Sequence, residues 1–324
     1  MKHKSKDLAP ARDTVSSPSW RKTLLAMRNH WQLYAMLLLP VASLILFNYV
    51  PMYGLKIAFQ NYVGGKGLDQ SEWVGLANFK RFFNSYDCWR ILRNTVTITF
   101  YFLLVMKPLS VSFALMINAI PNLRFKKWTQ TLTCMPHFIS VVVVVGMMFQ
   151  IFNPVIGLYG MAHRLLGHRG YPPDIIGRSG NFFHFYVWSS VWQELGWSTI
   201  IYLSVLTAVD PNLHEAAQID GASRLRRMFH IDWPAIIPTF SILFIMSCGN
   251  LLSVGFEKVF LMQRDSNRAV SEVLSTYVYN VGIGSGGGEF SYAAAIGMLT
   301  NIVNALILVI VNFIAGKTKQ STLF

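Results

Sequence analysis

Two ionisable residues stand in otherwise apolar stretches of the sequence, where a charge would do specific chemistry. Lys107 lies in VMKPLS and Glu194 lies in WQELGW, each near the middle of a segment long enough to cross a bilayer. Charges inside a membrane are costly and usually face a cavity or a partner. The sequence leaves two interpretations open: a structural Lys107–Glu194 ion pair, or one or both residues lining a polar pathway.

The motifs of nucleotide and metal chemistry are incomplete in this chain. GIGSGG at 282–287 matches Gly-x-Gly-x-x-Gly, but a dinucleotide site also needs a preceding strand and a following helix in a soluble βαβ unit. GKT at 316–318 lacks the upstream glycine of a phosphate loop, since Val311 occupies that position. No HExxH or GxSxG motif occurs, and the three cysteines are far apart. We therefore predict no catalytic residues, no metal ligands and no cofactor bound by this chain.

Composition indicates a membrane protein that crosses the bilayer several times. Of 324 residues, 53% are hydrophobic and only 13% are charged, whereas soluble domains carry about 25% charged residues. The formal net charge is +13, but no basic stretch is interleaved with stacking aromatic residues in a soluble domain. We interpret the basic residues as marks of cytoplasmic loops and anionic headgroups. Contact with membrane lipids is predicted, and contact with nucleic acid is not.

Six stretches reach the length of about 20 mostly apolar residues that a membrane-spanning helix needs. They are roughly 33–50, 95–119, 129–152, 182–208, 236–256 and 291–315. The predicted fold class is an all-α membrane protein with six transmembrane helices, in one membrane domain at 33–324. Before it lies a cytoplasmic tail at 1–32, whose last part, 20–32, is either an interfacial amphipathic helix or plain disordered chain.

The basic residues of the connecting segments indicate which side faces the cytoplasm. The tail and the segments 120–128, 209–235 and 316–324 hold 15 Lys and Arg residues, against 12 in the longer segments of the other side. Cytoplasmic loops carry an excess of Lys and Arg. Both termini and the segment 209–235 are therefore predicted to be cytoplasmic.

The charged insert between predicted spans four and five is unlike its surroundings. Residues 210–238 read DPNLHEAAQIDGASRLRRMFHIDWPAIIP. Asp210 before a proline is a typical helix start, and Gly221 is a typical helix end. A second, amphipathic helix is predicted at about 222–231, with the next span starting at Asp232. The insert is either a hairpin that merely connects spans or a docking element that transmits motion from a soluble partner.

This insert resembles the EAA loop of permease subunits in binding-protein-dependent ABC importers. The matching residues are Glu215, Ala216, Ala217, Gly221, Ile231 and Pro234. The fuller stretch is similar to the carbohydrate-importer branch related to maltose permeases. Other stretches resemble its polysaccharide and oligosaccharide subgroup: YVPMYGLKIAFQNY (49–62), WVGLANFKRFF (73–83), MPHFIS (135–140), GFEKVFLM (255–262) and SEVLSTYVYNVGI (271–283). Two local departures are His214, where relatives often carry Tyr, and Trp233, which replaces a common Leu.

The resemblance implies the ABC importer permease fold in a bacterial inner membrane, with a coupling helix between spans four and five. It implies a homologous second permease that completes the pore and an extracytoplasmic solute-binding protein that delivers the sugar. Two ATPase subunits would bind and hydrolyse ATP with Mg, so this chain would be non-catalytic. The residues that would couple to the ATPases are Glu215, Ala216, Ala217, Asp220, Gly221, Arg224 and Arg227. For any single Arg, attraction to phospholipid is the competing interpretation.

The subgroup implies an oligosaccharide substrate, and the overall pattern resembles importers of acidic, alginate-type polysaccharides. Lys107 would suit a uronate carboxylate if it faces the pathway. Aromatic rings can stack on sugars, so the candidate pathway residues are Lys107, Glu194, Trp188, Trp192, Trp197 and Tyr202. Helix packing or an interfacial aromatic belt is the competing interpretation for each aromatic residue. The rival function is an ion-coupled secondary sugar transporter, which would need intramembrane carboxylates; Glu194 alone qualifies.

Overall fold

The computed structural model describes most of the chain beyond its N-terminal tail, namely residues 20, 27, 29–63, 65, 67–284, 288–318 and 321–323. Most of the described residues are helical. The chain divides into two compact units, 1–55 and 56–324. The predicted tail at 1–32, with its interfacial helix, lies mostly outside the described residues.

Nine of the helices are labelled in chain order. They are α1 (Trp31–Leu44), α2 (Tyr86–Asn118), α3 (Leu123–Cys134), α4 (Val141–Ile151), α5 (Phe182–Thr207), α6 (Pro211–Ile219), α7 (Arg224–Cys248), α8 (Phe256–Met262) and α9 (Phe290–Lys317). Shorter α-helices lie at Val50–Met52, Ala77–Phe83, Leu158–Leu165, Arg268–Ser271 and Leu274–Gly282. A small antiparallel ribbon pairs β1 (Gln60–Asn61) with β2 (Glu72–Trp73), and Gln60 lies opposite Trp73.

Four helical runs are long and apolar enough to cross a membrane: Trp31–Phe59, which begins with α1, and α2, α7 and α9. The bent pair α3–α4 is a fifth candidate if it counts as one span. Helix α5 covers the predicted fourth span with 26 residues, but it is not among the runs whose composition is apolar enough to count as a candidate span. Length and composition thus support four or five of the six predicted spans, and the sixth stays a prediction.

The third predicted span, 129–152, is not one straight helix. Helices α3 and α4 meet at 94°, and a 3-10 turn, Met135–Phe138, lies between them with Pro136 at its start. Ser140 then begins α4, because its side chain accepts the N–H of Val143. A proline and a helix cap this close together end one helix and start another in a new direction.

Helix α7 corrects the predicted organisation of the stretch before span five. The predicted separate helix at 222–231 and fresh helix start at Asp232 are wrong, because α7 runs through this stretch without a break. Pro234 has no N–H, so a normal helical turn would lose a hydrogen bond there. The turn directly before it is a π turn, in which Trp233 donates its N–H to the Met228 carbonyl five residues back. The chain thereby passes the proline and stays helical.

Three clusters of buried apolar side chains hold the second unit together. The first joins α2, α4, α5 and α8, with Val187 and Val259 fully buried. The second joins α2, α5 and α7 around Tyr202 and Ile236. The third joins the start of α2 to α9, where Ile296 is fully buried. Helix α5 belongs to the first two clusters. It ends at Thr207, directly before the predicted coupling loop.

Ion pairs join connecting segments that the sequence places on the same side. Arg90 contacts Glu272 at 2.7 Å, and Arg81 contacts Glu289 at 2.9 Å. The hydrogen bond that Arg81 donates to the Glu289 carboxylate raises the pKa of the Arg81 guanidinium. Each of these pairs links the segment before or at the start of α2 with the segment between α7 and α9, so these two regions lie at one end of the second unit.

Candidate functional site

The predicted coupling loop folds as a hairpin made of α6 and the first turns of α7. The side chain of Asp210 caps α6 by accepting the N–H of Asn212 at 3.0 Å. The helix ends before Gly221, whose φ of +77° is a backbone conformation that residues with a Cβ rarely adopt. Ala222 closes the turn by donating to the Ala217 carbonyl at 2.8 Å. Both predicted ends of this helix are confirmed.

The residues predicted to meet an ATPase lie mostly on the outside of this hairpin. Two of them, Ala217 and Arg227, are half-buried. The exposed ones are Glu215, Ala216, Asp220, Gly221 and Arg224. Arg227 turns inward and donates to the His214 carbonyl at 3.5 Å. Arg227 therefore contributes to the inside of the hairpin, whereas Arg224 is accessible to a partner.

Apolar side chains on the hairpin are also exposed. Ile219 is 87% exposed, Leu225 is 65% exposed and Phe229 is 59% exposed. Exposed apolar groups beside charged ones are a feature of surfaces that bind other proteins or membranes. The hairpin thus presents a mixed surface of Glu215, Arg224 and these three apolar residues.

A cavity of about 400 Å³ opens between α2, α5 and the end of α7, and it contains both predicted intramembrane charges. Its lining residues are Thr99, Phe102, Leu103, Met106, Lys107, Glu194, Ser198, Ser247, Asn250 and Ser253. Hydroxyl and amide groups share the wall with apolar side chains. Such a lining provides hydrogen bonds for a polar solute together with apolar contact surface.

Lys107 and Glu194 share this cavity without a direct contact. The Oε2 atom of Glu194 lies 3.0 Å from Nδ1 of His137. The ammonium of Lys107 donates to the Leu243 carbonyl at 3.2 Å. Among the residues that the structure describes, no ion pair joins Lys107 to Glu194. Both residues therefore line one cavity, and the prediction that one or both of them line a pathway for the solute stays a prediction.

Trp197 belongs to the surroundings of Glu194. Its ring stacks on the ring of His137, with centroids 4.4 Å apart and an interplanar angle of 5°. His137 lies in the 3-10 turn between α3 and α4, so the break in the third predicted span brings it to α5. The stacked indole holds the imidazole in place beside the carboxylate of Glu194.

The other three aromatic candidates lie elsewhere. Trp188 donates its indole N–H to the Tyr101 hydroxyl at 3.1 Å and lines a second, mostly apolar cavity of about 480 Å³. Trp192 is 50% exposed and is not among the lining residues of either cavity. Tyr202 is buried in the second apolar cluster. None of the four predicted aromatic residues is therefore among the lining residues of the charged cavity, and Trp197 is linked to it through His137, which contacts Glu194.

Close backbone contact fixes α5 against the broken span. A Cβ atom at Gly196 would collide with the Thr133 carbonyl of α3. One turn earlier, the Gln193 amide donates to the Ile139 carbonyl at 2.8 Å. The absence of a side chain at Gly196 therefore allows the approach that places His137 beside Glu194.

Lys258 in α8 is a candidate that sequence reasoning missed. Its side chain is buried, and its ammonium donates to the Ser190 hydroxyl at 2.8 Å. Ser190 is four residues before Glu194, on the same face of α5. The sequence analysis assigned Lys258 to a connecting segment, where a charge is unremarkable. The available signal was its position in the apolar stretch GFEKVFLM.

Comparison with known proteins places the chain in a family. Residues 107–320 match the family described as binding-protein-dependent transport system inner membrane component. This match spans well over half of the chain. The chain belongs to this permease family. The predicted resemblance is confirmed, and the apolar helical runs are those of a multi-pass membrane protein.

Full-length relatives extend this result to sugar ABC permeases. The permease is 37% identical over 318 residues to the polygalacturonan/rhamnogalacturonan transport system permease protein YteP of Bacillus subtilis (strain 168), with 98% of each chain covered. It is 36% identical over 316 residues to Protein LplB of the same organism, with 98% of this chain and 97% of the relative covered.

A solved structure shares the fold of the permease. It is the crystal structure of a bacterial alginate ABC transporter in complex with alginate pentasaccharide-bound periplasmic protein. A chain of that complex superposes with a TM-score of 0.82 at 30% sequence identity, covering 92% of the permease and 98% of that chain.

Proposed function

We propose that the permease is the membrane subunit of an ATP-driven importer that carries acidic oligosaccharides into a bacterial cytoplasm by alternating access. The observation that carries the proposal is the cavity in which Lys107 and Glu194 join hydroxyl and amide groups. An intramembrane cavity with this lining suits a polar solute. The polygalacturonan and alginate named for the relative and the solved structure are polymers of sugar acids.

The charges near the cavity support an acidic sugar over a neutral one. Glu194 already contacts His137, whereas Lys107 contacts a backbone carbonyl and Lys258 contacts a hydroxyl. Neither ammonium meets a carboxylate among the described residues. A uronate carboxylate would provide a charge-assisted hydrogen bond, which is stronger than one between neutral groups.

Contacts within the second unit support the six-span topology, with both termini and α6 cytoplasmic. Lys126, in the predicted cytoplasmic segment 120–128, donates to Asn118 at 3.0 Å, and Asn118 contacts Asp232 of α7. The ion pairs Arg90–Glu272 and Arg264–Asp174 join segments predicted on the outer side. In this topology the bent pair α3–α4 serves as the third span of an inner-membrane protein, and α5 serves as the fourth.

The partners proposed for the permease follow from its surfaces. The exposed hairpin residues Glu215, Ala216 and Arg224 suit one of two ATPase subunits, which bind ATP and Mg themselves. A homologous second permease completes the pathway, and an extracytoplasmic solute-binding protein delivers the oligosaccharide. The permease contacts lipids and the oligosaccharide, takes no catalytic step and binds no nucleic acid.

Purification of the complex tests the class of transporter. We expect the tagged permease to co-purify with a second permease and an ATPase. After reconstitution, the ATPase rate rises with sugar-loaded binding protein and stays basal with unloaded binding protein. Ion-coupled uptake by the permease alone, without ATPase subunits, would overturn the proposal in favour of a secondary transporter.

The choice of sugar tests the substrate class separately. Oligogalacturonides and neutral oligosaccharides of equal length are compared as ligands of the binding protein and as transported solutes in the same proteoliposomes. We expect uptake and ATPase stimulation with the acidic series. Equal uptake of both series would remove the acidic part of the proposal and leave the importer class intact.

A further inference from the structure

A buried carboxylate lies at the base of the coupling hairpin. Asp232 is 7% exposed and ends the π turn of α7. A buried carboxylate is stable only when neighbouring groups donate hydrogen bonds or opposite charge to it. The groups around Asp232 therefore show which elements this residue holds together.

Three other helices supply these groups. The Nε2 atom of His214, in α6, lies 3.3 Å from the Asp232 carboxylate. The amide of Asn118, at the end of α2, lies 3.5 Å from the same oxygen. Lys126, in α3, donates to the Asn118 carbonyl oxygen at 3.0 Å. A chain of polar contacts thus runs from α6 through α7 to α2 and α3.

The His214–Asp232 contact stands out among the links of α6. Among the residues that the structure describes, it is the one ion pair between α6 and another helix. Beside it lies a cavity of about 250 Å³ whose wall includes His214, Asp232 and Asn118. Space next to a buried polar contact lets the hairpin tilt, while the contact keeps α6 attached to α7.

We propose that His214 is a positioning residue that passes the movement of α6, through Asp232, to α7 and α2. This inference rests on the proposed function, in which an ATPase moves α6. It also gives a role to a departure in the sequence, because His214 stands where relatives often carry Tyr. The imidazole donates to a buried carboxylate, so α6 cannot move away without removing one of the hydrogen bonds that this carboxylate accepts.

The test uses the complete complex in proteoliposomes and measures oligosaccharide transported per ATP hydrolysed. We expect His214→Ala to keep the ATPase subunits bound and to lower this ratio about tenfold, a typical size for a lost contact between coupled residues. His214→Gln restores it to within about twofold, since its amide N–H lies near the position of Nε2. The matched control is His230→Ala, because His230 is exposed and contacts the Arg226 carbonyl instead.

The double variant His214→Ala with Asp232→Ala makes the test decisive even if His214→Ala fails to assemble. It also removes the buried carboxylate that would lose its imidazole partner, so we expect the complex to assemble with the same low ratio as His214→Ala. A wild-type ratio in His214→Ala or in the double variant would overturn this inference, while the proposed function would stand. Transport by the wild-type permease without any ATPase subunit would overturn both.

Discussion

One basic and one acidic side chain, Lys107 and Glu194, line the cavity of the permease. Glu194 is engaged by His137, and the ammonium groups of Lys107 and Lys258 meet neutral oxygen atoms. In surroundings of low polarity, a neutral acceptor leaves much of an ammonium charge uncompensated. At the scale of single residues, a sugar carboxylate would supply the opposite charge that the carbonyl contact of Lys107 lacks.

Lys107→Met tests this role at the cavity wall. We expect uptake of acidic oligosaccharides to fall about tenfold, because Met keeps the length of the side chain and loses a charge-assisted hydrogen bond worth about 1.5–3 kcal/mol. Uptake of a neutral oligosaccharide that the complex accepts should stay within about twofold. Lys80→Met, at an exposed lysine of the helix Ala77–Phe83, is the matched control. An equal loss for both sugars would assign Lys107 to packing.

A combined variant separates the two interpretations of the intramembrane charges. If Lys107 and Glu194 were paired, Lys107→Met with Glu194→Gln would restore the transport that each single change removes. Because Glu194 contacts His137 instead, we expect the double variant to transport no better than the worse single variant. The measurement is the initial rate of uptake at equal amounts of assembled complex, and recovery of the wild-type rate would establish a functional pair.

At the scale of helices, the sequence predicts those helix ends that depend only on neighbouring residues in the chain. The ends of α6 follow from Asp210 and Gly221, whose capping roles are local. The break between α3 and α4 was not predicted, because the apolar pattern of 129–152 continues across it. The π turn before Pro234 was not predicted either. Asp232 followed by Pro234 is typical of a helix start, and only the hydrogen bonds of the π turn show that the helix continues.

The residues of the candidate site also fall into two groups, those that the local sequence predicts and those that only the structure shows. Lys107 and Glu194 were found because a charge within an apolar run is a local property of the sequence. His137 and Lys258 reach α5 only through tertiary packing, so their spacing from Glu194 along the chain carries no signal. The charged cavity could therefore be predicted in part, whereas the contacts that orient its charges required the structure.

Gly196→Ala tests the close packing of α5 on α3. A Cβ atom there would overlap the Thr133 carbonyl, so the two helices must separate, which typically costs about 1–3 kcal/mol. We expect a lower midpoint of thermal unfolding for the purified complex. Gly146→Ala in α4 is the control, because a Cβ atom there meets nothing within 4 Å. Equal unfolding midpoints for both variants would contradict this packing.

At the scale of the whole molecule, polar contacts collect at two ends of the second unit. One end holds the contacts of Lys126, Asn118 and Asp232, and the other holds ion pairs such as Arg264–Asp174. The predicted topology places these ends on opposite sides of the membrane. One step of this topology depends on the bent pair α3–α4, which is either one broken span or a re-entrant loop.

Labelling of single cysteines decides between these two forms of the bent pair. After replacement of the native cysteines, one cysteine is placed at Leu123, the first residue of α3, or at Asp265, after α8; both positions are exposed. A membrane-impermeant maleimide is applied to spheroplasts and to inside-out vesicles. With α3–α4 as one span, three spans separate the two positions, so we expect Leu123→Cys to react only in inside-out vesicles and Asp265→Cys only in spheroplasts. A re-entrant loop would leave two spans between them, and both positions would then react from the same side.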